Sequence, residues 1–179
     1  MSHRLKVAAL ALVFPLAACS GTAGDGSDAT SDSEVSTTST LGRPAADFQS
    51  EETDPSGTTQ IQGERVKDPA MDLSYKWQGT SSAPGGGTIV VVAVTNESDA
   101  AMPAATLKPK LEYNSGDKHF KSAQPRAAAP AAVDMVGLDM PLGPGATSNL
   151  KFPFDVSTGN LWDARFTIGN VTFKGNLNN

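Results

Sequence analysis

The run Thr88–Asn96 constrains the fold of this chain more than any other stretch. It reads TIVVVAVTN and is β-branched at almost every position. β-branched side chains lose χ1 freedom in a helix and pack well on a pleated sheet. A strand that is apolar on both faces must be covered on both sides. The run therefore predicts a strand in the middle of a sheet, and the rest of the domain must supply its neighbours.

Period-2 alternation in the flanking sequence predicts those neighbours. Apolar and polar residues alternate over residues 71–77 and again over residues 150–156, which is the pattern of a strand with one buried face. Alternation over residues 107–113 predicts a further strand, in which Pro109 indicates an edge or a bulge. Residues 133–140 are interpreted as a weak strand.

Turn signals separate these strands. Turns are predicted at residues 96–99, 114–117 and 142–145, and a two-residue hairpin turn at Gly169 and Asn170. The Ala/Pro-rich residues 122–132 are predicted to cross between two sheets as a loop. About seven or eight short strands without a sustained helical period indicate an all-β sandwich.

Composition divides the chain at about Pro69. Residues 20–68 are rich in Ser, Thr, Gly, Ala and acidic residues and contain one aromatic side chain, Phe48. A segment this poor in apolar bulk cannot offset the entropy of ordering. We therefore expect residues 19–68 to be a disordered acidic tether and residues 69–179 to form the folded domain.

The first 18 residues resemble a bacterial lipoprotein signal. A short basic stretch at residues 3–6 precedes an apolar run at residues 7–16, the layout of a secretory signal peptide. Ten apolar residues are too few to span a bilayer, which needs about 20. The motif Leu-Ala-Ala-Cys at residues 16–19 resembles a lipobox. The resemblance implies that Cys19 is diacylated and becomes the first residue of the mature protein, on the extracytoplasmic face of the cell membrane; the alternative is an ordinary secretory signal.

The order of motifs in the predicted sandwich resembles a known module over residues 75–174. The motifs are Val94-Thr95-Asn96, the strand and turn residues Leu111, Tyr113, Gly116 and Asp117, the turn 142–145 and the strand 152–155. Together they resemble the immunoglobulin-like domain of unknown function found on many Gram-positive lipoproteins. The resemblance implies an extracytoplasmic Ig-like module without known catalysis.

Few residues of the mature chain suit catalysis. Nucleophilic catalysis needs a base beside a Ser, Cys or Thr, and cleavage of the signal leaves His119 as the one histidine. It lies on a predicted hairpin, where we expect it to be solvated. Asp134 and Asp139 fall on opposite faces of a regular strand and form no acid/base pair. We expect no enzymatic activity and no cofactor.

Copper binding is a separate alternative. Thioether and imidazole ligands select Cu(I), and the mature chain offers Met71, Met102, Met135, Met140 and His119. Their spacing matches no recognised copper motif, and Met often fills gaps in a core. We therefore predict no metal site, and a small-ligand or copper carrier stays the second hypothesis.

The charge distribution excludes one class of partner. Residues 71–179 carry nine acidic and nine basic side chains, so the predicted domain lacks the basic field that nucleic-acid binding requires. An anchored β domain without catalytic groups indicates a binding role. The first hypothesis is an accessory or interaction subunit of an envelope or membrane protein complex, contacting its partner through edge strands and end loops.

Overall fold

The computed structural model describes residues 46–61 and 63–179. The regular structure of this part is almost entirely β. Its nine strands are β1 (Ser56–Thr58), β2 (Arg65–Lys67), β3 (Leu73–Ser82), β4 (Thr88–Asn96), β5 (Lys110–Asn114), β6 (Phe120–Ser122), β7 (Thr147–Phe154), β8 (Ala164–Ile168) and β9 (Val171–Gly175). A four-residue helix, α1 (Ala128–Ala131), and a 3₁₀ helix (Thr158–Trp162) lie in the connections.

The strands form two sheets. One has the order β1-β9-β8-β5-β6 and the other β2-β3-β4-β7. Every pairing is antiparallel except that of β1 with β9. This architecture confirms the predicted all-β sandwich, together with the predicted hairpins β5–β6 and β8–β9.

The β-branched strand β4 lies inside its sheet, as predicted, between β3 and β7. Val90 and Val92 face the main core and are fully buried. Ile89 faces the other way and packs against Ala83 and Ala131 of a second, smaller cluster. The crossing segment that contains α1 therefore covers the outer face of β4.

Aromatic rings fill the space between the sheets. Phe166 of β8 lies among them, with its ring centroid 5.8 Å from Trp77 and 6.2 Å from both Phe152 and Phe154. Aromatic pairs at such distances in edge-on or tilted geometry add to the stabilisation from buried area. These rings come from the alternating positions of three strands, so the period-2 pattern places them in one layer.

Two predictions about strands are wrong. Residues 133–140 form bends rather than a strand, and their one main-chain bond to β7 runs from Gly137 N–H to the Lys151 carbonyl (3.0 Å). Gly137 has a φ of 67°, which is incompatible with extended backbone. The strand at residues 107–113 begins only at Lys110, after Pro109, and it lies between β8 and β6 rather than at an edge.

The folded domain also begins earlier than Pro69. β1 pairs with β9 and β2 with β3, while Phe48 and Ile61 pack against the core. Strand pairing uses main-chain groups that every residue except proline carries in full, so composition alone did not reveal these strands. Residues 1–45 of the predicted signal and tether, including Cys19, lie outside the described residues.

No helix in the described part of the chain combines the length and the apolar character that crossing a membrane requires.

Candidate functional site

The residues considered for catalysis lie apart from any reactive arrangement. His119 is exposed on the β5–β6 turn. The Ser115 hydroxyl donates to the main-chain carbonyl of His119 (3.0 Å), not to its imidazole. Asp134 and Asp139 are both exposed in the segment 133–140. Within the described residues, these side chains form no nucleophile and base pair.

The methionines considered for copper divide between core and surface. Met71 and Met102 are buried members of the main core, whereas Met135 and Met140 are exposed. Met71 and Met102 lie near the start of β3 and the end of β4, while His119 lies at the opposite end of the sandwich, where β5 ends. Over residues 46–61 and 63–179, no three His, Cys, Asp or Glu side chains are grouped to hold a metal.

The two ends of the sandwich carry the features with functional interest. We call the end at which β3 begins and β8 turns into β9 the Asp68 end, after its buried carboxylate. We call the opposite end the Trp162 end, where β5 ends and the 3₁₀ helix leads into β8. Connecting loops at the ends of a rigid scaffold are where binding residues concentrate.

A buried hydrogen-bond network organises the Asp68 end. Asp68 is 4% exposed. Its Oδ1 accepts from the N–H groups of Ala70 (3.0 Å) and Met71 (2.9 Å) and from Nδ2 of Asn170 (2.8 Å). Its Oδ2 accepts from the Asn170 N–H and the Tyr75 hydroxyl, both at 2.9 Å. Five donors thus surround one carboxylate, which lowers the cost of burying its charge.

The network shifts the pKa values of both ionisable groups. Burial acts to raise the pKa of Asp68, but the hydrogen bonds from Asn170, Ala70 and Met71 favour the carboxylate and together hold the pKa below its usual value. Burial, together with the negative charge of Asp68, raises the pKa of Tyr75. The Tyr75 hydroxyl therefore stays protonated and keeps donating.

Asn170 also holds the N-terminal segment against the domain. Its Oδ1 accepts from the Thr53 N–H (2.7 Å), and its Nδ2 donates to the Glu51 carbonyl (2.8 Å). Its own carbonyl accepts from the Ser56 N–H (2.8 Å) at the start of β1. The preceding Gly169 has a φ of 53°, and a Cβ there would meet Asp68 Oδ2 at 2.6 Å. This close approach requires glycine.

A cavity of about 590 Å³ opens beside this network. Lys108, Lys110 and Glu52 contribute charges to its wall, and both lysines are exposed. Every buried side-chain polar atom of the described residues has a hydrogen-bond partner. The buried polar groups of the Asp68 end are therefore paired with one another, and those of Asn170 hold the N-terminal segment.

The Trp162 end is built differently, around an exposed indole. Trp162 is 55% exposed, although the neighbouring Leu161 is fully buried. The Leu161 carbonyl accepts from the Leu177 N–H (2.8 Å). The Asp163 carbonyl accepts from the Asn114 N–H (2.9 Å), and its Oδ2 accepts from Asn114 Nδ2 (2.7 Å). The residues on either side of Trp162 are thus fixed to the domain.

Two adjoining cavities lie at this end and share Tyr113 and Asn160 in their walls. One, of about 380 Å³, is also lined by Trp162 and by the turn that follows β5. The other, of about 420 Å³, reaches across to the β3–β4 turn and to residues 155–157. Hydroxyl groups of Ser82, Ser115 and Ser157 line the pair. We call these two cavities the Trp162 cleft.

A smaller apolar cavity of about 270 Å³ lies along β7. Val136 and Leu138 of the bent segment close it over Phe152 and Pro153. The segment predicted as a strand therefore serves as a cover for the edge of the sandwich.

No model of a protein family, no curated protein and no solved structure matches this chain. Function is therefore argued from the sites, because a fold alone does not imply an activity. Sequence reasoning identified Asn170 as a turn residue and missed both the Asp68 network and the cleft. The available signals in the sequence were the Gly169-Asn170 turn and the Leu161-Trp162 pair.

Proposed function

We propose that the protein is a lipid-anchored extracytoplasmic lipoprotein whose β-sandwich is a binding module, acting as an accessory subunit of an envelope or membrane protein complex. The observation that carries the proposal is the motif Leu-Ala-Ala-Cys at residues 16–19, which resembles a lipobox, ahead of an all-β domain. A diacylated cysteine supplies two chains, and two chains anchor stably where one is marginal.

The strand order supports an Ig-like identity for the module. In an Ig domain the strands A, B and E share one sheet, and C, F and G share the other. Here β3, β4 and β7 are adjacent in one sheet, and β5, β8 and β9 in the other, in the corresponding chain order. Such modules act through edges and end loops, which favours binding over chemistry.

The edge strand β7 offers the surface for a protein partner. The main-chain carbonyls of Lys151 and Pro153 face away from the sheet. The Lys151 carbonyl accepts from the Gly137 N–H (3.0 Å), and the Pro153 carbonyl accepts from the Arg126 N–H (2.9 Å). Residues two apart in a strand present their main-chain groups to the same side, so Asn149 also faces outward. The second half of β7 is covered, and no strand among residues 46–61 and 63–179 pairs with the outer side of its first half, which could therefore accept an added strand.

Anchoring is tested first with Cys19→Ala, and Ser20→Ala is the matched control. We expect Cys19→Ala to abolish incorporation of labelled palmitate and to leave an unprocessed or mislocalised precursor, while Ser20→Ala is processed normally. The measurement is fractionation of cells with mass spectrometry of the N-terminal peptide. Recovery of Cys19→Ala as an acylated, membrane-bound mature protein would show that the lipobox assignment is wrong.

The partner is tested by extracting the full-length protein in mild detergent and identifying what is retained at constant stoichiometry. Asn149→Pro removes an outward-facing N–H, and Asn149→Ala is its matched control. We expect the proline variant to lose the partner and the alanine variant to keep it. An anchored protein that is recovered alone after cross-linking contradicts the role as an accessory subunit.

A further inference from the structure

We propose that the Trp162 cleft binds a neutral saccharide, with successive sugar rings of a glycan chain seated in its two cavities. This inference goes beyond the proposed function, since the cleft lies at the end of the sandwich opposite the free start of β7. It does not depend on lipidation or on a protein partner.

The residues on either side of Trp162 are held in place by contacts with the domain. An exposed Trp on a mobile loop would lose conformational entropy on binding, which weakens affinity. Here Leu161 is buried on one side of Trp162, and Asp163 makes two hydrogen bonds to Asn114 on the other. Asn114 is itself buried, and its Oδ1 accepts from the Gly116 N–H (2.9 Å). The backbone that carries the indole is therefore fixed before a ligand binds, which lowers the entropy lost on binding.

The polar lining of the cleft matches hydroxyl groups. Asn160, which both cavities share, offers an amide donor and acceptor, and Ser157 offers a hydroxyl. The hydroxyls of Ser82 and Ser115 are bonded to Thr158 Oγ1 (3.2 Å) and to the His119 carbonyl (3.0 Å), and their oxygens keep capacity to accept from a ligand. Asp155 is the charged side chain in the walls, and no Lys or Arg of the described residues lines either cavity. A carboxylate accepts from hydroxyls but repels phosphate and carboxylate ligands. The cleft therefore favours an uncharged, hydroxyl-rich ligand.

The aromatic lining matches the C–H faces of a sugar ring. Aromatic rings carry negative charge on their faces and attract the weakly positive C–H groups of a pyranose. Trp162 supplies such a face in one cavity, and the half-buried Tyr113 stands where the two cavities meet. Each cavity wall thus contains at least one aromatic ring, and the shared Tyr113 connects the two, which suits a ligand with repeated rings.

The surroundings of Trp162 favour a sugar over a protein. Protein hot spots place Trp in an apolar, fully desolvated centre. In the Trp162 cleft, the neighbours are serines, glycines and amides in a concave wall. The other large apolar side chains exposed in the described part of the chain, Met135 and Met140, belong to the separate segment beside β7. Trp162 therefore does not extend into an apolar patch.

The test titrates the full-length protein in mild detergent with two probes, the β-1,4-linked tetramers of N-acetylglucosamine and of glucose. Binding is followed by calorimetry and by tryptophan fluorescence. Trp77 is 4% exposed and donates to Asn179 (3.1 Å), so the response to a ligand comes from Trp162. We expect saturable binding of at least one tetramer, with a shift of the emission to shorter wavelength.

Variants separate the cleft from the rest of the surface. We expect Trp162→Ala to weaken binding about tenfold, which corresponds to about 1.4 kcal/mol of lost stacking, and Trp162→Phe to retain most of the affinity. Asn160→Ala should weaken binding in both cavities. Met140→Ala, a matched loss of an exposed apolar side chain, should change nothing. All variants should keep the unfolding midpoint of the parent protein.

Two outcomes overturn the inference. One is the absence of saturable binding of both tetramers at millimolar concentration. The other is binding that Trp162→Ala leaves unchanged. Loss of a co-purifying protein in Trp162→Ala, without binding of either tetramer, would assign the cleft to a protein interface instead. The retention test with Asn149→Pro reports separately on the accessory role.

Discussion

The two ends of the sandwich use polar groups in opposite ways. At the Asp68 end, a buried carboxylate takes five hydrogen bonds, and Asn170 connects it to the N-terminal segment. At the Trp162 end, amide and hydroxyl groups line open cavities around an exposed indole. The Asp68 end concentrates its hydrogen bonds on one buried carboxylate, whereas the Trp162 end has the exposed side chains of Trp162 and Asn160 in its cavity walls.

The difference separates stability from recognition. Buried polar groups stabilise only when every partner is in place, and removal of one leaves the others unsatisfied at a cost of about 1–3 kcal/mol each. Removal of an exposed polar group changes the free energy of unfolding of the ligand-free protein only slightly. Substitutions at the Asp68 end should therefore change the free energy of unfolding, and those at the Trp162 end should change binding.

The largest effect is expected for Asp68→Ala. The variant leaves the Tyr75 hydroxyl and the Asn170 amide without their acceptor in a buried place, so we expect a loss of about 4 kcal/mol. Asp155→Ala, which removes an exposed carboxylate at the Trp162 end, should change stability by less than about 0.5 kcal/mol. Urea unfolding of the full-length variants measures both. Equal losses would end the distinction between the two ends.

A smaller loss is expected for Gly169→Ala. The added methyl would meet the Tyr75 hydroxyl, Asp68 Oδ2 at 2.6 Å and the Met71 methyl at 2.8 Å, at a φ of 53°. Strained backbone and overpacking each cost about 1–3 kcal/mol, so we expect a loss of about 3 kcal/mol. Gly159→Ala is the matched control in the 3₁₀ helix, where a Cβ meets no atom within 4 Å. If Gly169→Ala unfolds with the same free energy as the parent protein, residue 169 does not approach Asp68 and Met71 as closely as the structure shows.

The smallest effect is a dependence of stability on pH. The lowered pKa of Asp68 means that the folded state holds this proton more weakly than the unfolded chain does. Its contribution is therefore present above the unfolded pKa of about 3.9 and is lost as the pH falls through the folded pKa. One such group changes the slope of the free energy of unfolding against pH by at most about 1.4 kcal/mol per pH unit. Asp68→Asn, which cannot titrate, should show a shallower loss of stability in urea unfolding as the pH falls below about 4. Identical slopes in the parent protein and the variant would mean that Asp68 does not contribute.

Most strands of the core were predictable because each carries its own pattern. β4 was identified with its bounds, and the alternating residues of β3, β7, β8 and β9 all point into one core. The turn between β8 and β9 was predicted from Gly169 and Asn170. Each of these signals is contained in a few consecutive residues, so no knowledge of the partner strand is needed.

The features that were missed depend on residues far apart in the chain. β1 pairs with β9 more than 100 residues later, through main-chain groups that leave no mark on composition. Asn170 meets Asp68, Glu51 and Thr53 only once both ends of the domain are assembled. Residues 133–140 have enough apolar residues for a strand, but they are used as a cover over the cavity beside β7.

The sequence by itself determined the all-β class, the central place of β4 and the turns, because side-chain period and turn chemistry act locally. It also contains the predicted lipidation site at Cys19, because that prediction depends on four consecutive residues. Only the tertiary structure decided which segments pair at the edges, where the folded domain begins, and which polar residues are buried as anchors. It also decided which residues line the Trp162 cleft. Those properties arise from contacts between distant residues, whose hydrogen bonds and shared cavities no local pattern contains.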